Sequence, residues 1–362
     1  MAQLPDAEKL ASLAEQIKVW GRELGFAELA ITDIDLQHAE PYLENWLELG
    51  YHGDMHYMAS HGLKRARPAE LVPGTVRVIS ARMNYLTQDI LKRQRAPGEA
   101  VISVYAHGRD YHKVLKQRLQ QLAEKVAAEI GPYGFRVFTD SAPVMEVALA
   151  AKAGLGWRGK HTLLISRQAG SMFFLGEILI DLPLPVDQPV TSHCGACQSC
   201  IEVCPTQAIV APFKLDARRC VSYLTIELDG SIPEDLRPLI GNRVYGCDDC
   251  QLHCPWNKFA QLAAVDDFAV RNGLDSASML SLFSWDEAEF LRRMEGSAIR
   301  RIGHERWLRN LAVGLGNAAA ELAGDAAIIN ALRQRLQHPS AMVREHVLWA
   351  LAQHGCMPDA EH

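Results

Sequence analysis

Eight cysteines fall between Cys194 and Cys254 at short, fixed gaps, and no other feature of this chain restricts its fold so tightly. The first run is Cys194-x2-Cys197-x2-Cys200-x3-Cys204-Pro205, and the second is Cys247-x2-Cys250-x3-Cys254-Pro255, with Cys220 between them. Two-residue gaps let three thiolates converge on three irons of one cubane, while the cysteine before proline turns toward a neighbouring cluster. Applied to both runs, this rule predicts one 4Fe-4S cluster on Cys194, Cys197, Cys200 and Cys254 and a second on Cys204, Cys220, Cys247 and Cys250. Cys220 stands where a regular second run would have its first cysteine, a departure from the simple ferredoxin pattern. Two four-cysteine zinc sites are the competing reading. Zinc leaves the triple run at two-residue gaps unexplained. Cys356 lies apart and reads as an ordinary packed or surface thiol.

Crowded cysteines of this kind fit reduced, metal-holding thiolates better than disulfides, since the N-terminus has no basic start followed by an apolar stretch. Every hydrophobic segment is interrupted by charge before the ~18 residues of a membrane helix. A cytoplasmic protein with no membrane contact is expected, and a monomer is the default. The 362 residues exceed one core's usual size and point to two or three domains. A composition of 48% hydrophobic and 22% charged residues excludes bulk disorder. The net charge of −6 argues against a uniformly nucleic-acid-coating protein but leaves local patches open.

Leu10, Leu13, Ile17, Trp20 and Leu24 share one helical face ahead of Gly25, and Leu115, Leu119, Leu122, Val126 and Ile130 share another ahead of Gly131-Pro132. Strands are predicted at 26–31, 76–81, 100–106, 135–139, 162–166 and 172–180. Up to about Asp181 the chain therefore reads as an α/β or α+β domain able to enclose a ligand. Three prolines within Leu182–Pro189 predict an extended connector. From about Asp266 the pattern is helical. The stretches 307–317 and 341–351 resemble helices of HEAT-like repeats, too few for a freestanding solenoid. No G-x-G-x-x-G follows a strand, so a Rossmann site lacks support. The glycines of 154–160 suit either a cofactor edge or a plain turn. Two adjoining clusters form an electron wire, and a wire implies a redox centre at its end, which the N-terminal domain must supply.

Phe138-Thr139-Asp140-Ser141-Ala142-Pro143, Gly154-Leu155-Gly156-Trp157, the blocks 216–227 and 245–251, and Gly296–Gly303 resemble epoxyqueuosine reductases, and the match spans essentially the whole chain. The resemblance implies an enzyme that reduces epoxyqueuosine to queuosine at the wobble position of tRNA, the last step of queuosine biosynthesis. Electrons would pass through two 4Fe-4S clusters to cobalamin. It also implies an α+β multidomain fold: an α/β cobalamin-binding catalytic domain related to reductive dehalogenases (1–185), a ferredoxin-like two-cluster domain (186–265) and a HEAT-like, tRNA-binding helical domain (266–362). The implied partners are tRNA carrying epoxyqueuosine and a reductant or electron-donor protein.

By position in these blocks, Asp140 is the implied proton donor, its pKa expected to rise on burial against the corrin. Read without the family, Asp140 caps a helix starting near Pro143. Arg67, Tyr105, Asp140, His161, Ser222 and Thr225 are the implied cobalamin contacts. Asp110-Tyr111-His112 begins like a cobalt-ligating D-x-H-x-x-G motif, but Leu115 replaces the glycine. His112 is therefore expected to face substrate or cap a helix. Arg292, Arg293, Arg300, Arg301, Arg306 and Arg309 form a basic stretch suited to phosphates, and a solvated basic face is the plainer reading. The segments 64–67 and 92–95 extend that footprint. A corrinoid reductase of organohalides and an RNA-docking adaptor are the rival readings. The arginine-rich tail speaks against the first, and the second leaves the N-terminal domain without a role.

Overall fold

The computed structural model describes residues 6–87 and 96–356, so the basic segment 92–95 lies outside the described residues. The N-terminal half is built on strands β1 (Glu28–Thr32), β2 (Arg77–Asn84), β3 (Phe135–Phe138) and β4 (Phe173–Ile180), ordered β1-β2-β4-β3. All three pairings are antiparallel. This corrects the α/β expectation for the first domain: with antiparallel neighbours throughout its main sheet, the arrangement is α+β. Side chains alternate across the sheet. Ile79, Met83 and Ile178 join Ile17 of α1 (Ala7–Glu23) and Leu115, Leu119 and Leu122 of α2 (Tyr111–Ile130) in one core. Val78 and Leu179 point the other way and pack with Leu149 of α3 (Glu146–Lys152).

The two long helices begin and end where their sequences direct. Asp6 accepts the Lys9 N–H at 2.9 Å and Asp110 accepts the His112 N–H at 3.1 Å, each satisfying a donor of the first turn. Gly25 and Gly131, at φ 89° and 88°, take the left-handed positions that follow. The strand expected at 100–106 shortens to Val101–Ile102, which runs parallel to Arg243–Tyr245. It stops because the Ser103 hydroxyl and the Val104 N–H turn to the Asp248 carboxylate, and Val104–Ala106 winds into a 3-10 turn. The strand expected at 162–166 shortens to Leu164–Ile165, after Thr162 at φ 75°, and pairs with Trp157–Arg158.

The proline-rich connector is pinned to the sheet rather than loose. Leu182 and Leu184 are buried, Asp187 exchanges hydrogen bonds of 2.8 Å with Ile31, and Lys18 Nζ reaches Asp187 at 2.7 Å. Beyond it, one continuous core joins Ala100–Ala106, the segment 217–245 and the helical tail. Within the tail, α4 (Gly303–Asn317) lies on α5 (Ala341–Gln353). A Cβ at Gly316 would fall 2.6 Å from the Trp349 ring and 2.9 Å from Ala350 Cα, so only glycine permits this approach. Cys356 packs against the same core. Among the described residues, no helix is long and apolar enough to cross a membrane.

Candidate active site and thiol centres

The fold sorts the eight cysteines into two groups of four. Cys194, Cys197, Cys200 and Cys254 line one open cavity of about 850 Å³, brought together by the short helices Ser199–Glu202 and Asp249–Leu252. Cys250 lies in the field of Cys247, Cys220 and Cys204, and Cys220 in that of Cys204. Burial, then the mutual charge of neighbouring cysteines, pushes the Cys200 thiol up to about 11. Burial first, and charged neighbours after it, holds Cys247 and Cys250 well above the usual thiol range. Four thiolates gathered side by side repel one another and need a cationic centre to neutralise them. Each set therefore has the donor chemistry an iron-sulfur cubane requires.

The second set is tied into the rest of the molecule by polar bonds. Thr225, fully buried, donates its hydroxyl to Val221 O at 2.7 Å and accepts the Gly246 N–H at 2.9 Å, fixing the turn that precedes Cys247. Gln251 donates to Ser171 O at 2.8 Å, and Asn257 Oδ1 accepts the Ser171 N–H at 2.6 Å, which joins the second cysteine run to the start of β4.

Asp140 sits two residues beyond β3 in the left-handed region, at φ 53°. That conformation is held by its own backbone N–H, which donates to the Glu146 carboxylate at the start of α3, and by Thr139 Oγ1, which donates to Leu175 O at 2.9 Å. The helix-cap reading fails: the helix begins at Glu146, and no side chain caps it. Tyr111 donates its hydroxyl to Asp140 Oδ2, and His112 Nε2 lies 3.1 Å from the same oxygen. His112 Nδ1 in turn lies 2.8 Å from Asp110 Oδ1, and its ring stacks on Tyr111 at 4.0 Å. His112 thus lies in the first turn of the helix that Asp110 caps, and its ring reaches the candidate acid.

The charge state of Asp140 runs opposite to the sequence expectation. Its recess alone would raise the carboxyl pKa, but hydrogen bonds from His112 and Tyr111, with the charges of His112 and Arg301, outweigh that and lower it. Burial opposes the charging of His112, yet the bonds and charges of Asp110 and Asp140 prevail and raise its pKa to about 9. At neutral pH the proton therefore rests on His112, pointed at Asp140. Behind them, burial and the Asp140 charge push Glu146 up to about 7. Glu177, buried on β4, is driven well above the carboxylate range by burial and by Glu146. Its register partner on β2 is Ser80. Tyr57, half exposed, feels both Asp140 and Glu227 across the recess, and burial foremost lifts its phenol to about 12.

The remaining expected residues separate. Tyr105 packs edge-on to Tyr111 at 5.7 Å, the ring whose hydroxyl reaches Asp140, and lies against the fully buried Tyr245. Arg301 pairs with Glu227, and its charge also acts on Asp140. Ser222 lies beside the Cys220 thiol. His161 is buried and lines the outer thiol cavity. Thr225 is fully buried, and both its hydroxyl bonds are spent on backbone. Arg67 is held by Glu40 at 2.8 Å and Glu70 at 3.1 Å.

The six arginines do not share a face. Arg309 is fully buried and donates to the carbonyls of Leu224, Leu228 and Gly230, so a phosphate contact is excluded without unfolding. Arg306 donates to Ile302 O at 2.7 Å. Arg292 and Arg293 are both paired with Glu289, while Arg300 is exposed. In the other basic stretch, Arg65 is buried and donates to Tyr57 O at 2.8 Å. The glycines of 154–160 are structural: a Cβ at Gly156 would lie 2.2 Å from Ile165 O. Sequence reasoning missed Tyr111, Glu146, Glu177, Tyr245 and Glu227. Tyr111 carried a signal as the neighbour of His112, and Glu227 and Tyr245 through the blocks 216–227 and 245–251.

Comparison with known proteins accords with this site. A family model described as epoxyqueuosine reductase QueG, DUF1730 matches residues 65–141, the segment holding Tyr105, Tyr111, His112 and Asp140. One described as a 4Fe-4S double cluster binding domain matches residues 193–257, taking in all eight clustered cysteines. Epoxyqueuosine reductase of Burkholderia pseudomallei (strain K96243) is 62% identical over 97% of this chain and 94% of its own length. That of Escherichia coli (strain K12) is 56% identical over 95% of this chain and 90% of its own. A crystal structure of epoxyqueuosine reductase with a tRNA-Tyr epoxyqueuosine-modified tRNA stem loop superposes with a TM-score of 0.87 at 25% identity, covering 96% of this chain and 91% of that one. The Streptococcus thermophilus epoxyqueuosine reductase gives 0.85 at 26% identity, with coverage of 96% and 91%. With such similarity along nearly the whole chain, the protein belongs to the epoxyqueuosine reductase family.

Proposed function

We propose that this chain reduces epoxyqueuosine to queuosine at the wobble position of tRNA, the last step of queuosine biosynthesis. The proposed route carries electrons through two 4Fe-4S clusters to cobalamin. The observation that carries the reading is the Asp140–His112 pair, a proton held beside an exposed carboxylate in a chain that also gathers two sets of four thiols. The first set would hold one cluster on Cys194, Cys197, Cys200 and Cys254, the second another on Cys204, Cys220, Cys247 and Cys250. The packed rings of Tyr105 and Tyr111, with Tyr57, Asp140 and Arg301 around them, would offer a flat macrocycle an aromatic surface with polar edges. Ser222, beside Cys220, would meet its edge nearest the second cluster. Bound there, cobalamin supplies low-potential electrons to the substrate.

Converting the epoxide to the alkene takes two electrons and two protons: both C–O bonds break, a C=C bond forms, and the oxygen leaves as water. The chain's own part is the proton supply. His112 holds the first proton at neutral pH and donates it toward Asp140 Oδ2, while Tyr111 steadies the same oxygen. Substrate covering the recess removes water from the carboxyl, which raises its pKa and moves the proton onto Asp140 for delivery to the oxygen. The second proton follows through the same pair once solvent has recharged His112. Exposed Arg300 and Arg292 are the proposed phosphate contacts, within a division of the chain into catalytic (1–185), two-cluster (186–265) and HEAT-like tRNA-binding (266–362) parts.

Anaerobically purified protein should contain about eight irons with matching sulfide. Supplied with cobalamin, a reductant and epoxyqueuosine-bearing tRNA, it should form queuosine. Asp140→Asn is expected to lose at least ~100-fold in rate with cofactors still bound. Near-normal turnover by that variant removes Asp140 as the acid, and colourless, zinc-loaded protein removes the electron route.

A further inference from the structure

The thiol set on Cys194, Cys197, Cys200 and Cys254 opens directly to solvent, with Cys197 itself exposed. The fourteen residues that line its cavity include Lys160, Arg167 and Lys258 and the histidines His161 and His193, but no aspartate or glutamate. In a chain of net charge −6 that is a marked local reversal of sign. Lys160 is committed, donating to Gly195 O at 2.7 Å and Cys197 O at 2.8 Å. Arg167 and Lys258 are exposed, and among the described residues neither makes an ion pair. An exposed apolar ring stands with them: Phe259 lies under the Lys258 ammonium at 4.8 Å. Glu202 is the acid acting on this rim, through its charge on Cys197.

We propose that this mouth is the docking surface for a small acidic protein carrying a one-electron redox centre. The inference rests on the electron route proposed above, in which the outer cluster must be recharged twice per turnover. Each encounter passes one electron from the reduced carrier to the outer cluster, which takes it up without making or breaking a bond. A predominantly cationic rim steers an acidic carrier to an edge of the route that has an exposed thiol, and the Phe259 ring gives it apolar contact once there. An RNA strand is the lesser fit. Two uncommitted cations are few against the six to ten phosphate contacts over which nucleic-acid surfaces spread, and the mouth surrounds thiols rather than Asp140.

The test uses the cluster-loaded holoenzyme and its Arg167→Glu/Lys258→Glu double variant. Reduced flavodoxin is the acidic probe and reduced methyl viologen the small reductant, with cluster bleaching followed by stopped flow. At low ionic strength the double variant should bind flavodoxin more weakly and be reduced by it at least ~10-fold more slowly. Salt should slow the parent but hardly the variant. Viologen reduction, cluster absorbance and midpoint potential should match the parent. Equal flavodoxin rates in parent and variant overturn the docking surface. So does a matching loss with viologen or a shifted potential, since the cations then merely offset cluster charge. Weaker binding of tRNA by the variant overturns it in favour of an RNA contact. A parent without cluster absorbance sinks both the docking surface and the reading beneath it.

Discussion

Asp140 and His112 divide one proton between a lowered and a raised pKa, and that division follows from which groups reach Asp140 Oδ2. Because the His112 proton is present at neutral pH and lost as pH rises through about 9, turnover should fall along an alkaline limb near that value. His112→Gln should remove the limb and lower the rate by about 100-fold, read from a pH–rate profile. Glu146 has the opposite chemistry but the same sign of linkage. Its folded pKa, about 7, lies above its ordinary 4.5, so its contribution to stability is full below about 4.5 and lost as pH rises through 7. Glu146→Gln, whose amide oxygen can still accept the Asp140 N–H, should flatten the fall in urea midpoint between pH 5 and 7.5. An unchanged pH slope would show that the carboxyl is not buried as described. Asp140 was legible through its sequence block, whereas Glu146 and Glu177 were not. Nothing in a string reveals that two carboxylates meet when α3 covers the face of the sheet on which residue 177 points.

Among elements, the helices were the most legible. Their apolar stripes, Asp caps and left-handed glycines are local properties, and α1 and α2 begin and end where those predict. The short strands at 101–102 and 164–165 were less so, because their ends are decided by partners far away in sequence, Asp248 in the first case. The segment 221–226 illustrates the consequence for site residues. Thr225 is a backbone latch for Gly246 ahead of Cys247, and Thr225→Val leaves that buried N–H unpaired at a cost of about 1–3 kcal/mol. The variant should show a lower denaturation midpoint and a reduced iron content, while keeping the cysteines themselves. Full iron loading at parental stability would refute the latch. Arg309 makes the same point for charge: a helix carries the residue, but burial under the 224–230 turn decides that its guanidinium serves carbonyls.

On the scale of the whole molecule, the two-cluster segment and the helical tail share one hydrophobic core with Ala100–Ala106, while the sheet domain is built on a second core that Phe268 also enters. Removing residues 266–362 would strip Trp307, Leu308, Leu311, Val343 and Val347 from that shared core. The shortened chain should therefore be insoluble or lack clusters, and a soluble, brown, folded truncation would refute the shared core. Sequence spacing alone set the expectation of two clusters and of the cysteines for each, because ligand gaps in an iron-sulfur run are dictated by short-range geometry. It also determined the long helices and the extended connector, whose signals lie within a few residues of one another. Only the tertiary structure decided which arginines meet solvent, which carboxylates share a proton and which hydroxyls are spent on backbone. Charge, exposure and pKa depend on what lies within a few ångströms in space, and residues 140, 146 and 177, or 225 and 246, become neighbours only once the chain has folded.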